Sequence, residues 1–188
     1  SASFGGLGAQ FTVDQADDVN VPRSGYFTRL SFGAERTGLG ATSSYDKFEG
    51  KIVGVQTLGR WSGLLKVDGG DSLGTTIPYY DTFSLGGLFK LSGRPIDQLR
   101  GQTYALGAAA LYYRLNAKSG LIVKDMYVGI SAEAGNTWDS RKDASLSNMT
   151  NAGSVFLSIN SIIGPVYIAY GRASGGLHSF YFTLNRAF

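Results

Sequence analysis

Apolar and polar residues alternate along most of this chain with a period of two. In one stretch Val128, Ile130, Ala132 and Ala134 alternate with Gly129, Ser131, Glu133 and Gly135. A second stretch alternates Val155, Leu157, Ile159 and Ile163 with Phe156, Ser158, Asn160 and Ile162. Successive side chains of a β-strand point to opposite faces, so the pattern predicts strands with one apolar face and one small or polar face.

Ten such segments follow one another, separated by turns rich in Gly, Asp, Asn and Ser. We place them at 3–14, 25–36, 45–58, 60–70, 79–90, 102–115, 124–138, 152–163, 165–174 and 179–188. Each segment together with its turn takes about 19 residues, so the strands are much longer than the mean strand of a soluble protein, which has about 5–6 residues. A tilted strand that crosses a bilayer needs about 9–11 residues. The pattern predicts an all-β fold, an antiparallel transmembrane β-barrel of about ten long strands, complete in itself or part of a larger barrel.

A soluble, lipocalin-like β-barrel that binds a hydrophobic ligand is the alternative, because strands alternate in soluble folds as well. Two features favour the transmembrane barrel over the soluble one. Charged residues make up 16% of the chain, against about 25% in an average globular protein. Aromatic residues also stand at the segment ends: Tyr79, Tyr80, Tyr112, Tyr113, Trp138 and Tyr170.

Composition removes several other classes of protein. The chain is 43% hydrophobic and 13% aromatic, which excludes intrinsic disorder. It has no cysteine and one histidine, His178, so we expect no disulfide scaffold, no metal site and no cofactor. The 17 cationic side chains are scattered along the sequence, and we therefore expect no nucleic-acid partner.

Neither a leader nor a membrane helix is evident in the sequence. The first residues, SASFGGLGAQ, lack the basic and apolar regions of a signal peptide. We therefore expect that a leader was removed or that the chain is a piece of a longer protein. The longest uncharged stretch, 144–171, is interrupted by Gly164-Pro165, and a helix there would be broken in the middle.

The last segment, SFYFTLNRAF, has an apolar row that ends in a terminal aromatic residue. The row consists of Phe180, Phe182, Leu184 and Phe188. A final amphipathic strand of this kind resembles the assembly signal of bacterial outer-membrane barrels. Arg186 departs from that pattern, but near the rim an arginine can extend to the lipid headgroups.

Several motifs together resemble one barrel superfamily, that of the outer-membrane assembly protein BamA and the two-partner-secretion transporters (the bacterial surface antigens). They are DVNVPRSGY (18–26), FSLGGLFKLSGR (83–94), LRGQTYALGAAALYYRL (99–115), GISAEAGNTW (129–138) and GPVYIAYG (164–171). Within it, the chain most resembles the C-terminal barrel of patatin-like outer-membrane proteins, the type Vd autotransporters. The resemblance covers the whole chain and implies a single barrel domain over 1–188.

The resemblance also implies a loop–barrel lock inside the lumen. In the superfamily, the loop that follows Leu85-Gly86-Gly87 returns into the barrel, where an arginine pairs with an acidic residue. Glu133 occupies the acidic position, but Ser92 stands where the arginine is usual. Arg94 or Arg100 would then have to supply the cation. The alternative is that these charges belong to a solvated surface loop and that Glu133 is a plain lumenal carboxylate.

An enzymatic role finds little support in the sequence. Patatin-like lipases need a Gly-x-Ser-x-Gly nucleophile, and the chain has none. Asp68-Gly69-Gly70 imitates the second lipase motif, but Asp-Gly favours a hairpin turn. His178 and Ser179 cannot form a Ser–His pair with each other, because adjacent residues on one strand point to opposite faces, and we expect His178 to be a loop residue after Gly175-Gly176. We therefore expect no catalytic residues in this chain.

These observations predict an outer-membrane β-barrel that serves as membrane anchor or translocation barrel of a patatin-like or surface-antigen-type protein. The expected location is the bacterial outer membrane, and the expected partners are its lipid and the barrel assembly machinery. Open sheet edges cannot face lipid, because their backbone groups would be unpaired. Missing strands, a homo-oligomer or a small closed barrel would provide closure.

Overall fold

A computed structural model describes residues 2–17, 21–115, 123–161 and 164–184 of the chain. Its regular structure is almost entirely β. The strands are β1 (Gly6–Asp14), β2 (Gly25–Glu35), β3 (Tyr45–Leu58), β4 (Trp61–Asp71), β5 (Phe83–Leu85), β6 (Leu99–Gly101), β7 (Thr103–Leu115), β8 (Val123–Trp138), β9 (Thr150–Ser161), β10 (Gly164–Ala173) and β11 (His178–Leu184). Single 3-10 turns lie at Thr37–Leu39, Tyr79–Asp81, Arg141–Asp143 and Leu146–Asn148.

Nine of the strands form one antiparallel sheet, in the order β1-β2-β3-β4-β7-β8-β9-β10-β11. Neighbours in the sheet are neighbours along the chain, except that β5 and β6 lie between β4 and β7 and pair only with each other. The predicted all-β, antiparallel fold is thus confirmed. Among the described residues no helix is long and apolar enough to cross a membrane.

One of the ten predicted strands is wrong. Segment 79–90 was expected to cross the sheet, but it contains a 3-10 turn, the three residues of β5 and the start of a loop. The apolar residues of this segment, such as Leu88 and Phe89, are buried in a cluster with Phe156 and Tyr167 of the sheet. A short apolar run has the same sequence pattern whether it is a strand or a buried loop, which explains the error.

The sheet has two chemically different faces. One face, which we call the outer face, carries exposed apolar rows, including Val128 and Ile130 on β8 and Val155 on β9; the opposite face is the inner face. On the inner face, Glu133, Ser154, Ser158 and other residues of the alternate register are buried. A lipocalin-like barrel needs its apolar rows inside, so this arrangement is the opposite of the soluble alternative.

The inner face also holds a core that the sequence did not predict. Tyr112, Tyr127, Phe156 and Tyr167 point inward and pack with Phe89 of the loop that follows β5. The Tyr112 hydroxyl donates a hydrogen bond to the carbonyl of Pro22. Tyr112 was expected among the aromatic residues at the lipid boundary, and its inward register explains the difference.

Candidate functional site: a loop docked on the inner face

A long connection between β5 and β6, residues 86–98, folds back against the inner face of the sheet; we call it the inner loop. Gly86 and Gly87 begin it with φ of 135° and 101°. A Cβ at Gly86 would lie 2.1 Å from the Pro95 carbonyl oxygen, so glycine is needed for the reversal. The Gly87 amide then donates to the Arg94 carbonyl at 3.1 Å and closes the loop.

Three non-glycine residues of the inner loop, Phe89, Leu91 and Asp97, have left-handed backbone conformations. Phe89 has φ of 60° and Leu91 has φ of 81°, and both side chains are buried. Such conformations cost about 1–3 kcal/mol each and persist where surrounding contacts fix them. The Phe89 amide donates to the Ser92 hydroxyl at 3.0 Å. Contacts with the sheet must therefore hold this conformation in place.

Glu133 of β8 is the centre of those contacts. One carboxylate oxygen accepts hydrogen bonds from the backbone N–H groups of Leu91 at 2.8 Å and Ser92 at 2.6 Å. The other accepts from the hydroxyls of Ser92 at 2.7 Å and Ser131 at 2.6 Å. Glu133 is 4% exposed, and four donors compensate for the burial of its charge.

The cation expected in this lock is not there. In the described part of the chain, neither Arg94 nor Arg100 forms an ion pair with Glu133. The Arg94 guanidinium donates to the side chains of Gln98 and Thr150, and that of Arg100 lies over the Tyr79 ring at 5.2 Å. Ser92 and the loop backbone take the place of the cation, because left-handed Leu91 and buried Ser92 point their N–H groups at the carboxylate.

A second contact joins the inner loop to β10 and β11. A Cβ at Gly171 would lie 2.6 Å from the Gly93 nitrogen, so the two backbones touch. The Gly93 amide donates to the Tyr181 hydroxyl at 2.8 Å, and that hydroxyl donates to the Arg94 carbonyl at 3.1 Å. The Ser179 hydroxyl donates to the Gly93 carbonyl at 3.1 Å. The inner loop is therefore bonded to β8 and β11 and in backbone contact with β10.

Aromatic contacts also hold the inner loop against the sheet. The Phe89 ring lies edge-on to Phe156 and Tyr167, with centroids 5.1 and 5.8 Å away. Edge-to-face pairs of this kind add about 0.5–1.5 kcal/mol beyond the buried area. Sequence reasoning identified Glu133 but missed Ser92, Gly171 and Tyr181. The motif position of Ser92 was the one available signal.

Buried charge on the inner face extends to β4. The ammonium group of Lys66 is buried and lies 3.8 Å from an Asp68 carboxylate oxygen. Asp68 also accepts a hydrogen bond from the Tyr104 hydroxyl at 2.6 Å. Asp68-Gly69-Gly70 was expected to form a hairpin turn, but it lies within β4. Pairing with β3 and β7 on both sides keeps it extended.

The predicted C-terminal row lies on the outer face as far as the structure describes it. Phe180 and Phe182 are 82% and 76% exposed, and Leu184 follows them on the same face. Phe188 lies outside the described residues. His178 is exposed on the outer face. No group of metal-binding side chains occurs among the described residues.

Comparisons with known proteins agree with this geometry. A family model described as the Omp85 superfamily domain matches residues 6–188. A solved structure, "The crystal structure of BamA from Haemophilus ducreyi lacking POTRA domains 1-3", superposes with a TM-score of 0.76 at 14% sequence identity. The match covers 94% of this chain and 41% of that one, so the chain spans less than half of its length. No curated protein matches the chain in sequence.

Proposed function

This chain belongs to the Omp85 superfamily, and from that premise we propose that it is part of the wall of an outer-membrane barrel that anchors or translocates a protein. The family and the fold indicate a bacterial outer-membrane protein. The finer proposal is a barrel of the patatin-like or surface-antigen type, with any lipase activity carried by a separate upstream domain. The barrel assembly machinery would insert it.

The docked inner loop is the observation that supports the translocation part of this proposal. A passive lipid anchor needs only a closed sheet and gains nothing from a loop held inside it. Here the inner loop is held on the inner face of the sheet by Glu133 of β8 and by packing of Phe89 on Phe156 of β9. Such a plug suits a barrel whose lumen is kept closed until a passenger segment passes or the loop moves.

The direction of the edge strands bears on how the barrel closes. Eight antiparallel steps separate β1 from β11, so these two edges run in the same direction. Pairing them directly, within one chain or between two copies inserted the same way, would be parallel. Antiparallel closure needs an odd number of additional strands. We therefore propose that further strands of the same protein close the barrel, and that a second copy does not.

Disulfide trapping tests this closure. The chain has no cysteine, so Gln10→Cys on β1 and Thr183→Cys on β11, which both lie on the inner face, can be introduced together into the full-length protein. The proposal expects no disulfide-linked species under oxidation and one polypeptide per barrel by native mass spectrometry in detergent. A linked dimer that is absent from both single variants would overturn it.

A charge substitution tests whether the outer face meets lipid. Phe182→Lys should lower the level of inserted protein, because a lysine on the lipid face costs roughly 2–4 kcal/mol near the midplane. The matched control is Gln10→Lys, an exposed position on the inner face of β1. Equal outer-membrane levels of the two variants, measured by immunoblotting of fractionated membranes, would show that Phe182 does not face lipid.

A further inference from the structure

The outer face has a groove at the end of the sheet where β10 turns into β11. It has a volume of about 620 Å³, and its lining includes Gly153, Val155, Tyr170, Arg172 and the turn Gly175–Gly176. Gly153 has no side chain, so the surface is recessed between Arg172 and Val155. The groove is thus part of the surface that faces the membrane.

Arg172 gives this groove its charge. Its outward cross-strand neighbours are Gly153 on β9 and His178 on β11. Apart from Arg172, His178 and the tyrosines, the outward-facing ionisable side chains among the described strand residues are Asp46 and Asp71, and both have hydrogen-bond partners. Arg172 has no ion pair within the described chain. A cation at the lipid boundary without a protein counter-ion attracts an anionic headgroup.

An apolar groove continues from the charged one toward the middle of the sheet. Its volume is about 290 Å³, and it shares Val155 and Tyr170 with the first groove. Val128, Leu157, Ile168 and Phe180 form the rest of its outward surface. The Phe180 ring packs on Tyr170 with centroids 4.8 Å apart. A charged site therefore opens directly onto an apolar track along the strands.

We propose that the two grooves together bind one anionic phospholipid, with its phosphate at Arg172 and His178 and an acyl chain along Val155 and Tyr170. A free phosphate would use the charged groove and leave the apolar one empty. A neutral lipid would use the apolar groove and leave Arg172 without a counter-ion. The continuity of the two grooves favours a ligand that has both parts. This site lies outside the inner-loop dock and does not depend on anchoring or translocation.

Native mass spectrometry of the full-length protein in detergent tests the proposal with two lipids that share acyl chains. We expect dimyristoyl phosphatidylglycerol to form adducts at roughly tenfold lower concentration than dimyristoyl phosphatidylcholine, the difference that one charge-assisted contact supplies. Arg172→Gln should bring this ratio close to one, and Arg172→Lys should retain most of it. Val128→Trp should fill the apolar groove and weaken binding of both lipids without changing the ratio.

The control is Arg141→Gln, which removes the same charge from an exposed loop at the same end of the sheet. It should leave the lipid preference intact. A wild-type ratio near one, or a preference that survives Arg172→Gln, would overturn the proposal. So would displacement of phosphatidylglycerol by millimolar inorganic phosphate together with no effect of Val128→Trp, since that result describes a free-phosphate site. Native electrophoretic mobility of each variant before heating verifies that it is folded.

Discussion

The first two and the last four strands of the sheet share one pattern but differ in what covers their inner faces. Every residue of β1 and β2 is at least partly exposed. On β8–β11, by contrast, Glu133, Phe156 and Tyr167 are buried against the inner loop. Strand pairing provides backbone hydrogen bonds in both regions, but by itself it buries little side-chain surface. The loop is what turns one part of the inner face into a core.

We expect the largest effect on this difference in burial from removal of the Glu133 carboxylate, the hydrogen-bond acceptor that holds the inner loop. Glu133→Ala should leave two buried N–H groups and two hydroxyls without their carboxylate, at a cost on the order of 3 kcal/mol. We expect the loop to detach and trypsin to cut after Lys90, as read from fragment masses.

Glu49→Ala is the matched control for that experiment. Glu49 lies on the inner face of β3 and has a single partly exposed ion pair, with Lys47 at 3.6 Å. Its removal should leave the inner loop protected. If trypsin treats the two variants alike, Glu133 does not hold the loop.

A smaller effect is expected from one added methyl group where the loop touches β10. Gly171→Ala places a Cβ 2.6 Å from the Gly93 nitrogen, and overpacking of this kind costs typically 1–3 kcal/mol. Gly54→Ala is the control, because nothing lies within 4 Å of a Cβ at Gly54. Thermal unfolding in detergent should show a lower midpoint for Gly171→Ala alone. Equal midpoints would mean that the loop can retreat from β10 without loss.

The smallest effect concerns one hydroxyl of the dock. Ser92→Ala removes the donor to Glu133 and the acceptor of the Phe89 amide but keeps the two backbone bonds to the carboxylate, so we expect a loss of about 1 kcal/mol. Ser161→Ala is the control, because it removes a hydroxyl bond of 2.7 Å to the Gly164 carbonyl at the β9–β10 connection, away from the inner loop. Trypsin cleavage after Lys90 should be faster for Ser92→Ala than for Ser161→Ala. Equal rates would argue that the backbone bonds alone hold the loop.

The alternation of apolar and polar residues was enough to predict which face of the sheet Val128 and Glu133 occupy. Val128 and Glu133 lie on the outer and inner faces that their register indicated, because a period of two determines both once one face is known. The same reasoning could not find the partners of Glu133. They are backbone N–H groups, and their direction depends on positive φ at Leu91, which no side-chain pattern encodes.

Tertiary contacts also explain why segment 79–90 and Tyr112 differ from expectation. Leu88 and Phe89 are apolar because they pack inside the barrel wall, so their composition resembles that of a strand. Tyr112 lies near a strand end, where aromatic residues often face headgroups. Side chains alternate between the two faces along the strand, so the register of Tyr112, and not its place near the strand end, decides that it points inward.

Docking of the inner loop also depends on the correct register of the strands that it contacts. Its contacts come from Glu133 on β8, Gly171 on β10 and Tyr181 on β11, which all follow the loop in the chain. A slip of one residue in any of these strands would turn its contact residue to the outer face. The inner loop can therefore reach its final shape only after all three strands have paired correctly, so its docking marks the completion of this side of the sheet.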